Sequence, residues 1–266
     1  MIQIIEKFAT KCPCWSTNLY QQSLVPEKRS SNYQAYYSCK PKLMLHSVGC
    51  ARASADVQAE RWNSETNNNA IAHAVIDSND GLARQTLRWD MRGWHCGNPG
   101  NNSHIGVEMC ESDAIAYDQP KAWQFTVKNR AKAEAHCRTA YNGSVELFAY
   151  LCKLYGLDPL TDICSHKEGH DAGIASNHGD PEHYWSGMGM PYTMDGFRAD
   201  VKAAMEATGF LGFPDVSEDD WYADALRRAV EKKVVLPSGK PFHPEIPLDK
   251  ATAIVLLMRI FNALDK

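Results

Sequence analysis

Three short runs in the first half of the chain carry the pattern of buried or half-buried strands: "LMLH" (43–46), "AIAHAVID" (70–77) and "IGVEMC" (105–110). Compact apolar blocks of this length, bounded by turn formers, predict β-structure. The period then changes. "SVELFAYLCKLYG" (144–156) sets Val145, Phe148, Leu151, Cys152 and Tyr155 on one face of a helix, with Gly156 as its stop. "DGFRADVKAAMEA" (195–207) repeats the pattern with Phe197, Val201 and Met205. Strands interleaved with covering helices predict an α/β domain with a mostly buried sheet.

Periodicity breaks at "TGFLGFPDVSEDD" (208–220), where Gly, Pro and an acidic cluster predict a boundary between a domain at 1–208 and a second one at 209–266. In that second segment Trp221, Ala225 and Ala229 recur at four-residue spacing and predict one helix. Ile254, Leu257, Met258, Phe261 and Leu264 predict the inward face of another. Two helices and a loop make a marginal core, so this small all-α module is expected to dock or to self-associate into a homo-oligomer.

Composition narrows the partners. The net charge of −4 over 266 residues argues against broad electrostatic capture of nucleic acid or of an anionic membrane. The longest apolar run, "AIVLLM" at 253–258, is far short of the ~20 residues a membrane helix needs. The opening "MIQIIEKFATKCPC" lacks a basic region followed by a sustained apolar stretch, so the chain is expected to be made in the cytoplasm without a signal peptide. The nine cysteines are odd in number, scattered and free of any Cys-x-x-Cys pair, which predicts reduced thiols.

One stretch stands apart. "SHKEGHDAGIASNHGDPEHYW" (165–185) holds His166, His170, His178 and His183, four of the ten histidines. His166 and His170 are four apart with an acidic residue between, but the glutamate sits one place late for H-E-x-x-H, and Gly169 weakens a helix there. A site assembled from separate elements is the better reading. "TDICSH" (161–166) reads as a strand delivering His166 at its end, "LMLH" delivers His46 at the end of another, and Asp180 lies on the following loop before Pro181. Two imidazoles and one carboxylate leave a fourth zinc position open, the arrangement of a catalytic site. In "IGVEMC", Glu108 is a lone carboxylate inside an apolar strand. Facing a cleft it would have a raised pKa and suit general-base work; facing the core it would be a buried ion-pair partner.

The series "LMLHSVG", "AHAVID", "WHCGNPGNNSHIGVEMCE" and "SHKEGHDAGIASNHGDPEHYW" resembles the zinc-dependent N-acetylmuramoyl-L-alanine amidases that include phage endolysins and peptidoglycan recognition proteins, and the endolysin branch most. The resemblance runs over nearly all of 1–208. It implies a mixed central sheet flanked by helices, zinc on His46, His166 and Asp180, and Glu108 as the acid–base residue. It places His178 where members often carry a lysine that stabilises the oxyanion. A histidine there can serve by donating N–H, or could replace Asp180 as a ligand. Trp94 and His95 match a W-H-x-G feature that borders the groove in members of the family, which implies substrate contact; Asn101 and Asn102, which also suit a turn, and Ser47 are further candidate contacts. His73, His170 and His183 are expected to pack or support, and Cys50, Cys96 and Cys110 to stay off the metal.

The implied reaction is hydrolysis of the amide between the lactyl group of N-acetylmuramic acid and L-alanine in bacterial peptidoglycan. An endolysin would act on the wall after release through a holin-type pore. The C-terminal segment resembles a single S-layer homology repeat, through its Phe-Pro-Asp-Val start, Trp221-Tyr222, and Phe242 with Pro244. That implies a secondary cell-wall polymer as partner, although the expected Thr-Arg-Ala-Glu stretch reads Asp249-Lys250-Ala251-Thr252. A non-catalytic peptidoglycan-binding protein is the alternative. The joint presence of three ligands and a base favours the enzyme.

Overall fold

The computed structural model describes residues 3–11, 41–67, 70–97, 99–121 and 123–206, and in the C-terminal part 213, 216–217, 219–232, 234–235, 242, 253–255 and 257–260. Its centre is a six-stranded mixed sheet. The strands are β1 (Ile4–Glu6), β2 (Lys42–Ser47), β3 (Ala74–Ile76), β4 (Ala83–Gln85), β5 (His104–Met109) and β8 (Ile163–Ser165), in the spatial order β1-β4-β3-β5-β2-β8. Among the described residues of this sheet, β3 with β4 is the antiparallel pair; β1 with β4, β3 with β5, β5 with β2 and β2 with β8 are parallel. Parallel strands need both faces covered, and Leu43, Met44, Leu45, Ile105, Val107 and Met109 are accordingly all buried. A separate hairpin, β6 (Ile115–Ala116) with β7 (Thr126–Val127), follows β5.

Helices α1 (Ala55–Trp62) and α2 (Arg130–Tyr155) flank the sheet. The α2 helix begins well before the segment with the apolar period. Its N-cap Asn129 accepts from the Lys132 amide at 3.1 Å, and Gly156 closes it in the left-handed region at φ 61°. The earlier turns meet the sheet with small residues, Ala133, Cys137, Ala140 and Gly143. Gly143 is obligatory there, because a Cβ would lie 2.1 Å from the Gly81 carbonyl oxygen. Short α3 (Pro159–Asp162), α4 (His166–Asp171) and α5 (Glu182–Gly187), then α6 (Met194–Glu206), complete this part. Phe197 and Val201 of α6 are buried, as the period predicts. The weakened helix expected at Gly169 does form, as α4, because Ser165 and Glu168 build a reciprocal capping box at its start. Gly169 also lets that helix approach Met44, whose Cε would lie 2.8 Å from an added Cβ.

The chain divides into two compact units, residues 2–204 and 205–266. In the second, α7 (Ala223–Glu231) buries Ala223 and Leu226, the latter in a cluster with Phe213 and Val216. The predicted face was out of phase: Trp221 is 95% exposed and Ala225 is exposed, because Leu226 is the large apolar side chain that the cluster takes in. Ile254, Leu257 and Met258 were expected inward and are exposed, while Phe261 and Leu264 lie outside the described residues. Among the described residues, no helix is long and apolar enough to cross a membrane.

Candidate metal centre

Parallel pairing brings the chemistry to one end of the sheet. His46 is the penultimate residue of β2 and stands in register with Glu108 of β5. Leu45 pairs with Ser165 of β8, so His166, the first residue of α4, emerges beside His46. Asp180 joins them from the loop before α5, through a cis Asp180–Pro181 bond. Open α/β sheets gather ligands outside the carboxyl ends of their strands, and these four residues lie there. His46, His166 and Asp180 are buried, and their donor atoms all fall within 4.8 Å of one another.

Hydrogen bonding fixes which atoms face inward. His95 Nε2 lies 3.1 Å from the His104 carbonyl oxygen, an acceptor, so this nitrogen carries the proton. Burial, with His46 and His73 nearby, holds the His95 pKa well below its usual value, so the ring is neutral and its Nδ1 is an acceptor. His46 Nε2, 2.9 Å from that Nδ1, is therefore the donor of the next bond. The lone pair of His46 is thereby turned through Nδ1 toward His166 Nδ1 at 3.0 Å and Asp180 Oδ2 at 3.3 Å. His166 mirrors the arrangement. Its Nε2 meets Ser176 Oγ at 3.1 Å, and its Nδ1 lies 3.4 Å from Asp180 Oδ1. Burial lowers the His46 pKa despite the pull of Asp180, and so favours the neutral, ligating form. For Asp180 burial alone would raise the pKa, but the two facing imidazoles hold it far below the usual carboxylate range. Two imidazole nitrogens and a carboxylate thus converge as electron-pair donors. That set fits a divalent metal ion, with both histidines oriented through their second nitrogens.

Two further carboxylates border the group. Glu108 has a buried Oε2 with no hydrogen-bond partner among the described residues. Burial, then the negative charges of Asp180 and Glu111, push its pKa well above the usual value. Glu111 is fully buried yet satisfied: it accepts from Ser47 Oγ at 2.7 Å, the Gly49 amide at 3.1 Å and Tyr117 OH at 2.6 Å. Burial still raises its pKa to about 7. His178 is exposed beside the centre. Its ring meets His166 edge-on at 4.5 Å and Trp123 at 5.8 Å, and burial against these neighbours lowers its pKa. It is not one of the three converging donors.

The expected substrate contacts fare differently. His95 has both ring nitrogens engaged within the protein, one on His46 Nε2 and one on the His104 carbonyl oxygen. Asn101 is fully buried, and its Oδ1 accepts from the His95 and Cys96 amides, while its Nδ2 has no partner among the described residues. Asn102 Oδ1 accepts from Arg92 Nε, and Arg92 lies over the Trp94 ring at 4.9 Å. Trp94 is half-buried against the core around Ile71. Ser47 is buried, its hydroxyl on Glu111 and its amide 3.3 Å from Asp180 Oδ2. His73 is fully buried, Nε2 on the Met91 carbonyl and Nδ1 on the Gly106 amide. His170 points away, toward the Ala175 carbonyl. His183 Nε2 meets Tyr117 OH at 2.8 Å. The described cysteines are free thiols, and none is among the metal-competent group. Sequence reasoning missed Glu111, Tyr117, Ser176 and Trp123; for Glu111 alone a signal existed, the second acid in "VEMCE".

Fold and site together define an α/β protein with a metal-competent His-His-Asp centre at the carboxyl ends of its parallel strands. The N-acetylmuramoyl-L-alanine amidase family model matches residues 41–183, just over half of the chain and all of these residues, and the chain belongs to that family. Among solved structures, a Staphylococcus aureus hydrolase, AmiA, in complex with its ligand superimposes with a TM-score of 0.53 at 16% identity, over 89% of this chain and 88% of that one. That likeness shows the fold. A mutant endolysin from Bacillus subtilis gives a TM-score of 0.44 at 20% identity, over 76% and 99% of the two chains. PlyL gives 0.45 at 19%, over 76% and 96%. No curated protein sequence matches.

Proposed function

We propose that this amidase is a zinc-dependent hydrolase of peptidoglycan that cleaves the amide between the lactyl group of N-acetylmuramic acid and L-alanine. The observation that carries the reading is Glu108: its buried Oε2 has no partner among the described residues, and it stands in register with His46 at the edge of the donor set. His46, His166 and Asp180 would hold the ion. Zinc in such a site polarises a carbonyl and lowers the pKa of water toward ~7. Glu108, with its raised pKa, takes a proton from the attacking water as the C–O bond forms. It returns that proton to the departing L-alanine amine as the C–N bond breaks. His178, neutral and unbonded by the described residues, donates N–H to the oxyanion.

In this proposal residues 1–208 are the catalytic domain of an endolysin of phage or prophage type. Residues 209–266 form an S-layer-homology-like module that holds a secondary cell-wall polymer or a second copy of the chain. The aromatic cluster of Phe213, Tyr222 and Phe242 supports that reading of the module. Purified cell walls test the activity. The protein is expected to release new L-alanine amino termini, to stop when a chelator removes its metal, and to resume when zinc is restored. New reducing ends in place of amino termini would overturn the assignment.

A further inference from the structure

The three converging donors are not held alike. His46 stands in β2, a strand paired with β5 on one side and β8 on the other, and is itself in register with Glu108. His166 lies just past the end of β8, a three-residue strand at the edge of the sheet whose last pairing is Ser165 with Leu45. Asp180 lies on a loop. Neither His166 nor Asp180 is placed by a sheet ladder. Donors need to be held to within about 0.5 Å of their working geometry by the residues behind them.

A chain of side-chain bonds supplies that hold. Arg198 of α6 grips Glu168 with both arms of its guanidinium, Nη1 donating to Oε2 and Nη2 to Oε1, each at 2.8 Å. Nη1 also donates to the Ile163 carbonyl oxygen of β8 at 3.2 Å. Glu168 Oε2 accepts from the Ser165 amide at 3.0 Å, and Ser165 Oγ accepts from the Glu168 amide at 3.0 Å. The same hydroxyl donates to Glu182 Oε1 at 2.6 Å. Ser165 is fully buried and immediately precedes His166, while Glu182 follows Asp180 by two residues. The Lys167 amide, donating to the Asp180 carbonyl oxygen at 3.2 Å, joins the two segments directly. Ser176 governs the turn of the His166 ring; the chain from Arg198 governs where its backbone stands.

A capping box closes without any help from a cation. Here its carboxylate also takes a two-armed guanidinium, whose side chain keeps only 14% of its surface exposed. That fork matches a carboxylate in a way that a point charge does not. Nη2 donates as well to Asp195 Oδ1 at 2.9 Å, but this partner is 95% exposed and belongs to α6 itself.

We propose that Arg198 is a positioning residue of the metal centre: through Glu168, Ser165 and Glu182 it sets the spacing of His166 and Asp180, and thereby the affinity for the ion. The inference rests on the reading of His46, His166 and Asp180 as zinc ligands.

The test is a zinc titration of the full-length, metal-free protein against a chromophoric chelator, with the melting temperature of the same metal-free samples beside it. Arg198→Met keeps the aliphatic stem and removes the fork. It should weaken zinc binding about tenfold, the lower end of the range for residues that support ligands, because Arg198 acts one bond further out. Glu168→Gln can still close the capping box but cannot accept both guanidinium arms, and should also cost about tenfold. Combined, the two should again cost about tenfold, where independent sites would give about a hundredfold. Asp195→Asn removes only the exposed partner and should leave affinity within about twofold. Unchanged affinity in Arg198→Met overturns the inference even if its melting temperature falls, since a purely structural tie would behave in that way. If Arg198→Met does not fold, the milder Glu168→Gln reads the same link, and unchanged affinity there overturns the inference equally. Losses that multiply in the double variant, or an equal loss in Asp195→Asn, overturn it too. Wild type and variants that bind zinc equally well sink the inference alone. A wild type with no affinity for zinc sinks the ligand assignment and the inference with it.

Discussion

Glu108 and Glu111 stand three residues apart at the same end of the sheet, and both have their pKa raised by burial. Their surroundings differ in one respect. The region around Glu111 supplies donors for both of its oxygens, from Ser47, Gly49 and Tyr117, and ties β2 to the hairpin after β5. The region around Glu108 leaves Oε2 buried and unpartnered beside the metal-competent group. Leaving a buried acceptor unmatched costs stability, and such groups persist in native folds mainly where chemistry uses them. A satisfied carboxylate is architecture; an unsatisfied one at a cleft is a candidate base.

That contrast makes its own predictions. Glu108→Gln should lower kcat by about 10²- to 10⁴-fold, the range for losing a general base. A loss under tenfold would place the base elsewhere, with Glu111 first in line. His95→Phe keeps a ring against Gly106 but removes the acceptor for His46 Nε2–H, and should weaken metal affinity by about 10- to 100-fold in a calorimetric titration. Unchanged affinity would mean that the His46 ring is oriented by packing alone.

Glu111→Gln should leave kcat within a few-fold and act on stability instead. The Glu111 carboxyl titrates at about 7 in the fold against 4.5 in its absence, so its contribution to stability is complete below pH 4.5 and is lost as pH rises through 7. The ionisation costs the wild type about 3 kcal/mol in full. Gln cannot ionise, so the melting temperature of the variant should gain on the wild type steadily from pH 4.5 to pH 8. A gap that stays constant with pH would show that Glu111 does not titrate in this range.

Much of this arrangement is legible in the residues themselves. The runs ending at His46 and at His166 mark strand ends, and parallel strand ends converge on one side of a sheet, so the donors could be sought together though 120 positions separate those histidines. The first half of α2 was not legible, because the face it turns to the sheet keeps the helical spacing but carries mostly small residues, Ala133, Cys137, Ala140 and Gly143, in place of large apolar ones. Nor were β1 and β4, each three residues long. His95, Asn101 and Ser47 have the residue types of substrate contacts. Both His95 nitrogens, Asn101 Oδ1 and the Ser47 hydroxyl meet another residue's backbone or side chain, and no local pattern encodes that.

In this reading His46, His166 and Asp180 hold the metal, and Glu108, whose Oε2 has no partner among the described residues, moves the proton. Metal analysis of Glu108→Gln beside the wild type, with L-alanine release from cell walls measured on the same samples, tests it most directly. One equivalent of zinc is expected in both proteins, with release by the wild type alone. Loss of the metal from Glu108→Gln would make Glu108 a ligand and contradict it.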